Sequence, residues 1–110
     1  MHNAFFQRWY MTSLIHPSSS VSKSVKLGNN VKIGPYCYVD GNITIGDGTE
    51  LKSHISITGN TSIGKNNIFY PFSHLGCAPQ DLQFSGDYSF LEIGNSNTFR
   101  ENVTISKWTK

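Results

Sequence analysis

Taken six residues at a time from Ile15, the chain presents an aliphatic or aromatic residue at every step: Ile15, Val21, Leu27, Ile33, Val39, Ile45, Leu51, Ile57, Ile63, Phe69 and Leu75. Glycine follows the anchor at positions 28, 34, 46, 64 and 76. Four residues after each anchor a second recurring place holds Val25, Val31, Cys37, Ile43, Thr49, Ile55, Thr61 and Ser73. This period excludes a helix, because anchors six apart would circle a helical axis instead of lining one face. It also disfavours antiparallel hairpins, which do not hold one phase over so long a stretch. A six-residue unit builds one short strand and one corner, and three units close a triangular coil. Successive coils then pair their strands in parallel, about 4.8 Å apart. The pattern therefore predicts an all-β fold, a parallel β-helix of hexapeptides with both recurring places facing inward. Glycine is expected to supply permissive backbone at corners, and Asn29, Asn30, Asn66 and Asn67 to tolerate left-handed turns.

The rhythm breaks once. Asp81 and Asp87 fall on anchor places, and the pattern resumes at Ile93-Gly94 with Phe99 and Ile105 in step. Residues 81–92 are thus expected to leave the coil as one extruded loop of about 12 residues, a length that in compact scaffolds is often functional. Gln80, Asp81 and Gln83 supply polar groups there, and Phe84 and Tyr88 supply stacking faces.

Composition narrows the class further. In 110 residues, Val, Ile and Thr number 23 against 8 for Ala and Leu, which favours strands. Nine Lys and Arg against seven Asp and Glu leave a net charge of +2, too little for a nucleic-acid footprint. Charged residues make up 15% of the chain, and disordered chains are usually richer in charge. No run approaches the ~18 apolar residues of a membrane span. Arg8 among Phe5, Phe6, Trp9 and Tyr10 argues against a secretory signal. Cys37 and Cys77 fit neither a disulfide framework nor a metal spacing, so a reducing cytoplasm is the expected compartment.

A more specific set of motifs overlies the hexapeptides. Ile15-His16-Pro17, Ile33-Gly34-Pro35-Tyr36-Cys37, Leu51-Lys52-Ser53-His54, Tyr70-Pro71-Phe72, Pro79-Gln80-Asp81-Leu82 and Arg100-Glu101-Asn102-Val103-Thr104-Ile105 occur in that order. From about Met11 to Thr109 the chain resembles the acyl-acyl-carrier-protein–UDP-N-acetylglucosamine O-acyltransferases, which begin lipid A synthesis in Gram-negative bacteria. The resemblance implies a left-handed β-helix, here cut off after about four to five coils of three hexapeptides, and a homotrimer with active sites between subunits. It implies transfer of a 3-hydroxyacyl chain from acyl carrier protein to the 3-hydroxyl of UDP-N-acetylglucosamine, with no cofactor or metal. A histidine would act as general base, as suits a group titrating near neutrality, and a backbone amide would hold the oxyanion. The Gln-Asp-Leu loop maps the sugar-nucleotide contacts onto Gln80 and Asp81, with Gln83 beside them.

The match has departures. Gln83 and Phe84 stand where the family has a lysine and a tyrosine, which removes a charge-assisted contact to the sugar nucleotide. Trp108 replaces an expected turn glycine. The family's catalytic histidine, its later coils and its C-terminal helical domain would all lie beyond Lys110, so the chain alone is expected to have little or no activity. Residues 1–14 read as an N-terminal extension before a β-helix over 15–110, with Met1 and Met11 both possible starts.

None of the chain's own histidines makes a good base. His54 and His74 are 20 apart, whereas stacked coils align residues 18 apart, so no zinc row is expected. His16, before Pro17, reads as structural. Cys37 reads as a small buried hydrophobe, and nothing in sequence activates Cys77. Two other classes compete with the acyltransferase reading: a different hexapeptide acyl- or acetyltransferase, and a noncatalytic remnant or trimer-forming β-helix module. An ice-binding face is disfavoured, because Thr44, Thr58 and Thr104 form no regular row.

Overall fold

The computed structural model of the protein describes residues 13–76 and 90–106. Twelve strands, all paired in parallel, line three sides of a prism. Side A stacks five strands: β1 (Leu14–Ile15), β4 (Lys32–Ile33), β6 (Glu50–Leu51), β8 (Ile68–Phe69) and β11 (Thr98–Phe99). Side B stacks β2 (Ser20–Val21), the first halves of β5 (Tyr38–Ile45) and β7 (Ser56–Ile63), then β9 (His74–Gly76) and β12 (Thr104–Ser106). Side C stacks β3 (Lys26–Leu27), the second halves of β5 and β7, and β10 (Leu91–Ile93). Because β5 and β7 turn the corner between B and C unbroken, those two sides form one continuous sheet.

The six-residue anchors fill the interior. Val39, Ile45, Leu51, Ile57, Phe69 and Leu75 are fully buried, while Ile15, Val21 and Leu27 in the first coil and Phe99 and Ile105 in the last are half-buried. The second inward place is buried too, from Val25 and Val31 to Thr61 and Ser73. Such alternation makes each two-residue strand sufficient, since one side chain points in and its neighbour out.

Two readings of the corners are corrected. Asn67 is not a turn residue: it is completely buried and occupies the second inward place. The glycines that follow the anchors at 28, 34, 46 and 64 do not have positive φ. They are there for close approach between coils: a Cβ at Gly34 would collide with the carbonyl oxygen of Lys52 one layer on. Left-handed backbone is instead borne mainly by non-glycine residues in two columns. Asn30, Asn66 and Ser96 stand with Gly48 at one corner, and Tyr36, His54, Phe72 and Asn102 at another.

Inward polar side chains hold the coils together at a corner. Ser13 Oγ donates to the Gly28 carbonyl (2.9 Å) and accepts from the Val31 amide (3.0 Å). Thr49 Oγ1 repeats this with the Gly64 carbonyl (2.9 Å) and the Asn67 amide (3.3 Å). Asn67 carries it on, donating from Nδ2 to Gly94 O (2.7 Å) and accepting at Oδ1 from the Asn97 amide (2.8 Å). Buried polar atoms are thereby satisfied, as a dry interior requires.

Candidate functional site

Strand register locates and measures the break in the coil. Between the second and third layers partners are 18 residues apart, as in Val39 with Ile57 and Ile45 with Ile63. Across the break they are 30 apart: Thr61 with Leu91, Ile68 with Thr98 and His74 with Thr104. The difference, 30 minus 18, is 12 residues, two hexapeptides' worth, and the prism continues in the same phase on the far side. Strand β10 begins at Leu91, so the coil resumes two residues before Ile93: Leu91 and Glu92, assigned from sequence to the loop, already pair with Thr61 and Ser62.

The extra residues leave from the B–C corner, the one that β5 and β7 round without interruption using Gly41 (φ 136°) and Gly59 (φ 79°). At the loop's root Gly76 has φ 138°, and a Cβ there would lie 2.5 Å from both the carbonyl oxygen and Oγ1 of Thr58. Only glycine therefore lets the chain pass beneath Thr58. The candidate binding residues Gln80, Asp81 and Gln83 lie outside the described residues, as do Cys77, Phe84, Asp87, Tyr88 and Trp108. The structure fixes the loop's two roots, at Gly76 and Leu91, one on each side of the B–C corner.

Side chains beside the roots are suited to hydrogen bonding. Tyr38 Oη donates to Asp40 Oδ2 at 3.1 Å, and that bond, with the carboxylate's charge, holds the phenol above its usual pKa. Thr58 is half-buried directly over the root, with its carbonyl taking the Thr61 hydroxyl at 3.2 Å. Among the described residues no three His, Cys, Asp or Glu side chains come together to hold a metal ion.

The histidines fall in separate places. His16 Nδ1 bonds the Ser18 hydroxyl (2.8 Å) and amide (3.1 Å) in the first coil. His54 stands in the corner column between Tyr36 and Phe72, and His74 faces outward from side B, so the two share no row. Cys37 is buried, and burial pushes its thiol up, consistent with its reading as a small hydrophobe. Sequence reasoning missed one cluster beside the A–B corner, where Tyr70 lies between Lys52 Nζ at 5.6 Å and the Arg100 guanidinium at 4.5 Å. Steps of 18 along the sequence, from 52 to 70, bring such neighbours into line.

These features define the class: a hexapeptide-repeat β-helix of the bacterial transferase type. Residues 24–54 match the family model "Bacterial transferase hexapeptide (six repeats)". Beyond the class, an acyl-acyl-carrier-protein–UDP-N-acetylglucosamine O-acyltransferase of Rickettsia canadensis (strain McKiel) is 46% identical over 93 residues, covering 84% of this chain and 35% of that protein. The UDP-N-acetylglucosamine acyltransferase of Francisella novicida superposes with a TM-score of 0.80 at 40% identity, over 87% of this chain and 35% of its own. The Moraxella catarrhalis O-acyltransferase gives 0.78 at 45% identity, over 86% and 37%. The sequence and fold of this chain are those of the amino-terminal portion of these O-acyltransferases, and its coils are left-handed as theirs are. The chain spans about a third of the length of the curated relatives it matches. Among the described residues no helix is long and apolar enough to cross a membrane.

Proposed function

We propose that this chain is the sugar-nucleotide side of an O-acyltransferase that moves a 3-hydroxyacyl chain from acyl carrier protein to the 3-hydroxyl of UDP-N-acetylglucosamine. The place of that reaction is the first step of lipid A synthesis, in the cytoplasm, and the working assembly is a homotrimer. The observation that carries the reading is the 12-residue insertion, entered through Pro79-Gln80-Asp81-Leu82, in an otherwise unbroken register shared with relatives of that name. Gln80 and Asp81 hold the sugar nucleotide, and Gln83 contributes a weaker neutral contact. The sugar hydroxyl attacks the thioester carbonyl and gives its proton to a histidine base, and the carrier's thiol leaves with a proton. That base is none of this chain's histidines; it belongs to later coils of the relatives.

A chimera tests the loop's role. With this chain replacing the matching third of the R. canadensis relative, Gln80→Ala and Asp81→Ala should each raise KM for UDP-N-acetylglucosamine about tenfold or more, a loss of ~1.4 kcal/mol per decade. KM for the acyl donor should stay within about twofold. Equal loss for both substrates would remove the loop from sugar-nucleotide binding.

A further inference from the structure

The A–B corner carries the least expected feature of the fold. Tyr36 (φ 58°), His54 (φ 52°) and Phe72 (φ 67°) all hold left-handed backbone, where bulky side chains are outliers. Their rings stack from coil to coil, 5.2 Å from Tyr36 to His54 and 4.9 Å from His54 to Phe72. Yet the ridge they form is not covered within the chain: Tyr36 is 64% and Phe72 59% exposed. The same column ends in Asn102 (φ 63°), a residue that tolerates this conformation. Backbone held against its preference, with apolar rings turned to solvent, points to a surface kept for contact.

Charge indicates what contacts it. Side A carries Lys32, Glu50, Lys52 and Arg100, and side C carries Lys26 and Glu92. Side B, which adjoins the ridge, has no lysine or arginine among its strand residues, and Asp40 is its one carboxylate. Tyr38, 47% exposed, extends the aromatic surface onto it, beside small residues such as Ser20 and Ser56. The nearest cations offer little field to an acidic partner, since Lys52 pairs with Glu50 (3.2 Å) and Arg100 with Glu101 (3.8 Å). Copies that each carry +2 repel least across such a side, and aromatic-rich, charge-poor patches are typical interface cores.

We infer that the Tyr36–His54–Phe72 ridge and side B form the surface through which copies of this chain associate. This rests on the homotrimer reading above and adds to it the face that is buried. The test is sedimentation equilibrium of the 110-residue chain from about 1 to 100 µM. The wild-type protein should associate. The double variant Tyr36→Asn/Phe72→Asn should bind itself at least 100-fold more weakly with its circular dichroism unchanged, because asparagine fits the left-handed corner. Tyr38→Lys, an exposed strand position that leaves the corner intact, should weaken association as well by placing like charges on side B. Lys65→Ser, on a remote corner, should not. If wild type associates and both the double variant and Tyr38→Lys do so equally well, the interface is elsewhere while the homotrimer reading stands. A wild-type chain that is monomeric throughout overturns both.

Discussion

Asn67→Asp, a change of one atom, should destabilise the protein by about 3–5 kcal/mol at neutral pH, the scale of an uncompensated buried charge. The site has no solvent exposure, and its amide donates to Gly94 O while its oxygen accepts from the Asn97 amide. A carboxylate keeps the second bond but faces the Gly94 carbonyl with no hydrogen to give. Burial therefore raises the new group's folded-state pKa above its unfolded value near 3.9. The sign follows: below about pH 4 the group is protonated in both states, its O–H can donate to Gly94, and the variant is near wild type. As pH rises the unfolded chain ionises first, and stability falls until the folded-state pKa is passed. At about 1.4 kcal/mol per unit, a 3 kcal/mol loss accrues between roughly pH 4 and 6. Urea melts at pH 3.5, 5 and 7 should show the gap to wild type widening with pH. A gap independent of pH would mean that Asn67 is not sealed in the prism.

Phe69→Ala should cost about 3–5 kcal/mol at every pH, through lost transfer energy and the cavity left behind. Phe69 is the largest fully buried side chain and stacks on Phe99 at 4.6 Å and 10°, joining the coil before the insertion to the coil after it. Amide exchange should therefore accelerate most in β11 and β12, which lie beyond that contact. Uniform acceleration across β4 to β7 would show that the coils unfold as a single unit.

Both predictions concern the seam at the insertion, and they divide what could be read from sequence from what could not. Anchors such as Ile45, Leu51 and Ile57 announce themselves, because a prism interior admits only apolar side chains at a fixed step and each position can be judged alone. The length of the insertion was legible for the same reason: Ile93, Phe99 and Ile105 return in phase. Asn67 was misread because asparagine is common in left-handed turns, and only the layers above and below reveal its two partners. The aromatic corner was missed on similar grounds. Local preference says Tyr36, His54 and Phe72 should avoid positive φ, but stacking with rings 18 residues away favours them there. Comparing positions three hexapeptides apart, and not neighbours, would have exposed that column. The glycines erred in the opposite direction: Gly34 looked like a turn residue, while its requirement is room for the backbone of Lys52 in the next coil. For the loop, Gln80 and Asp81 were legible only through their motif and its resemblance, since a loop off the prism obeys no period.

The central claim is that this chain supplies the sugar-nucleotide side of an acyltransferase whose proton-accepting histidine lies in later coils. It is tested most directly by transfer of a radiolabelled 3-hydroxyacyl group from acyl carrier protein to UDP-N-acetylglucosamine, comparing the 110-residue chain with the chimera described above. The expected result is ester formation by the chimera and none by the chain alone. A chimera that folds and associates but forms no ester would contradict the account, and turnover by the chain alone would contradict its placement of the base.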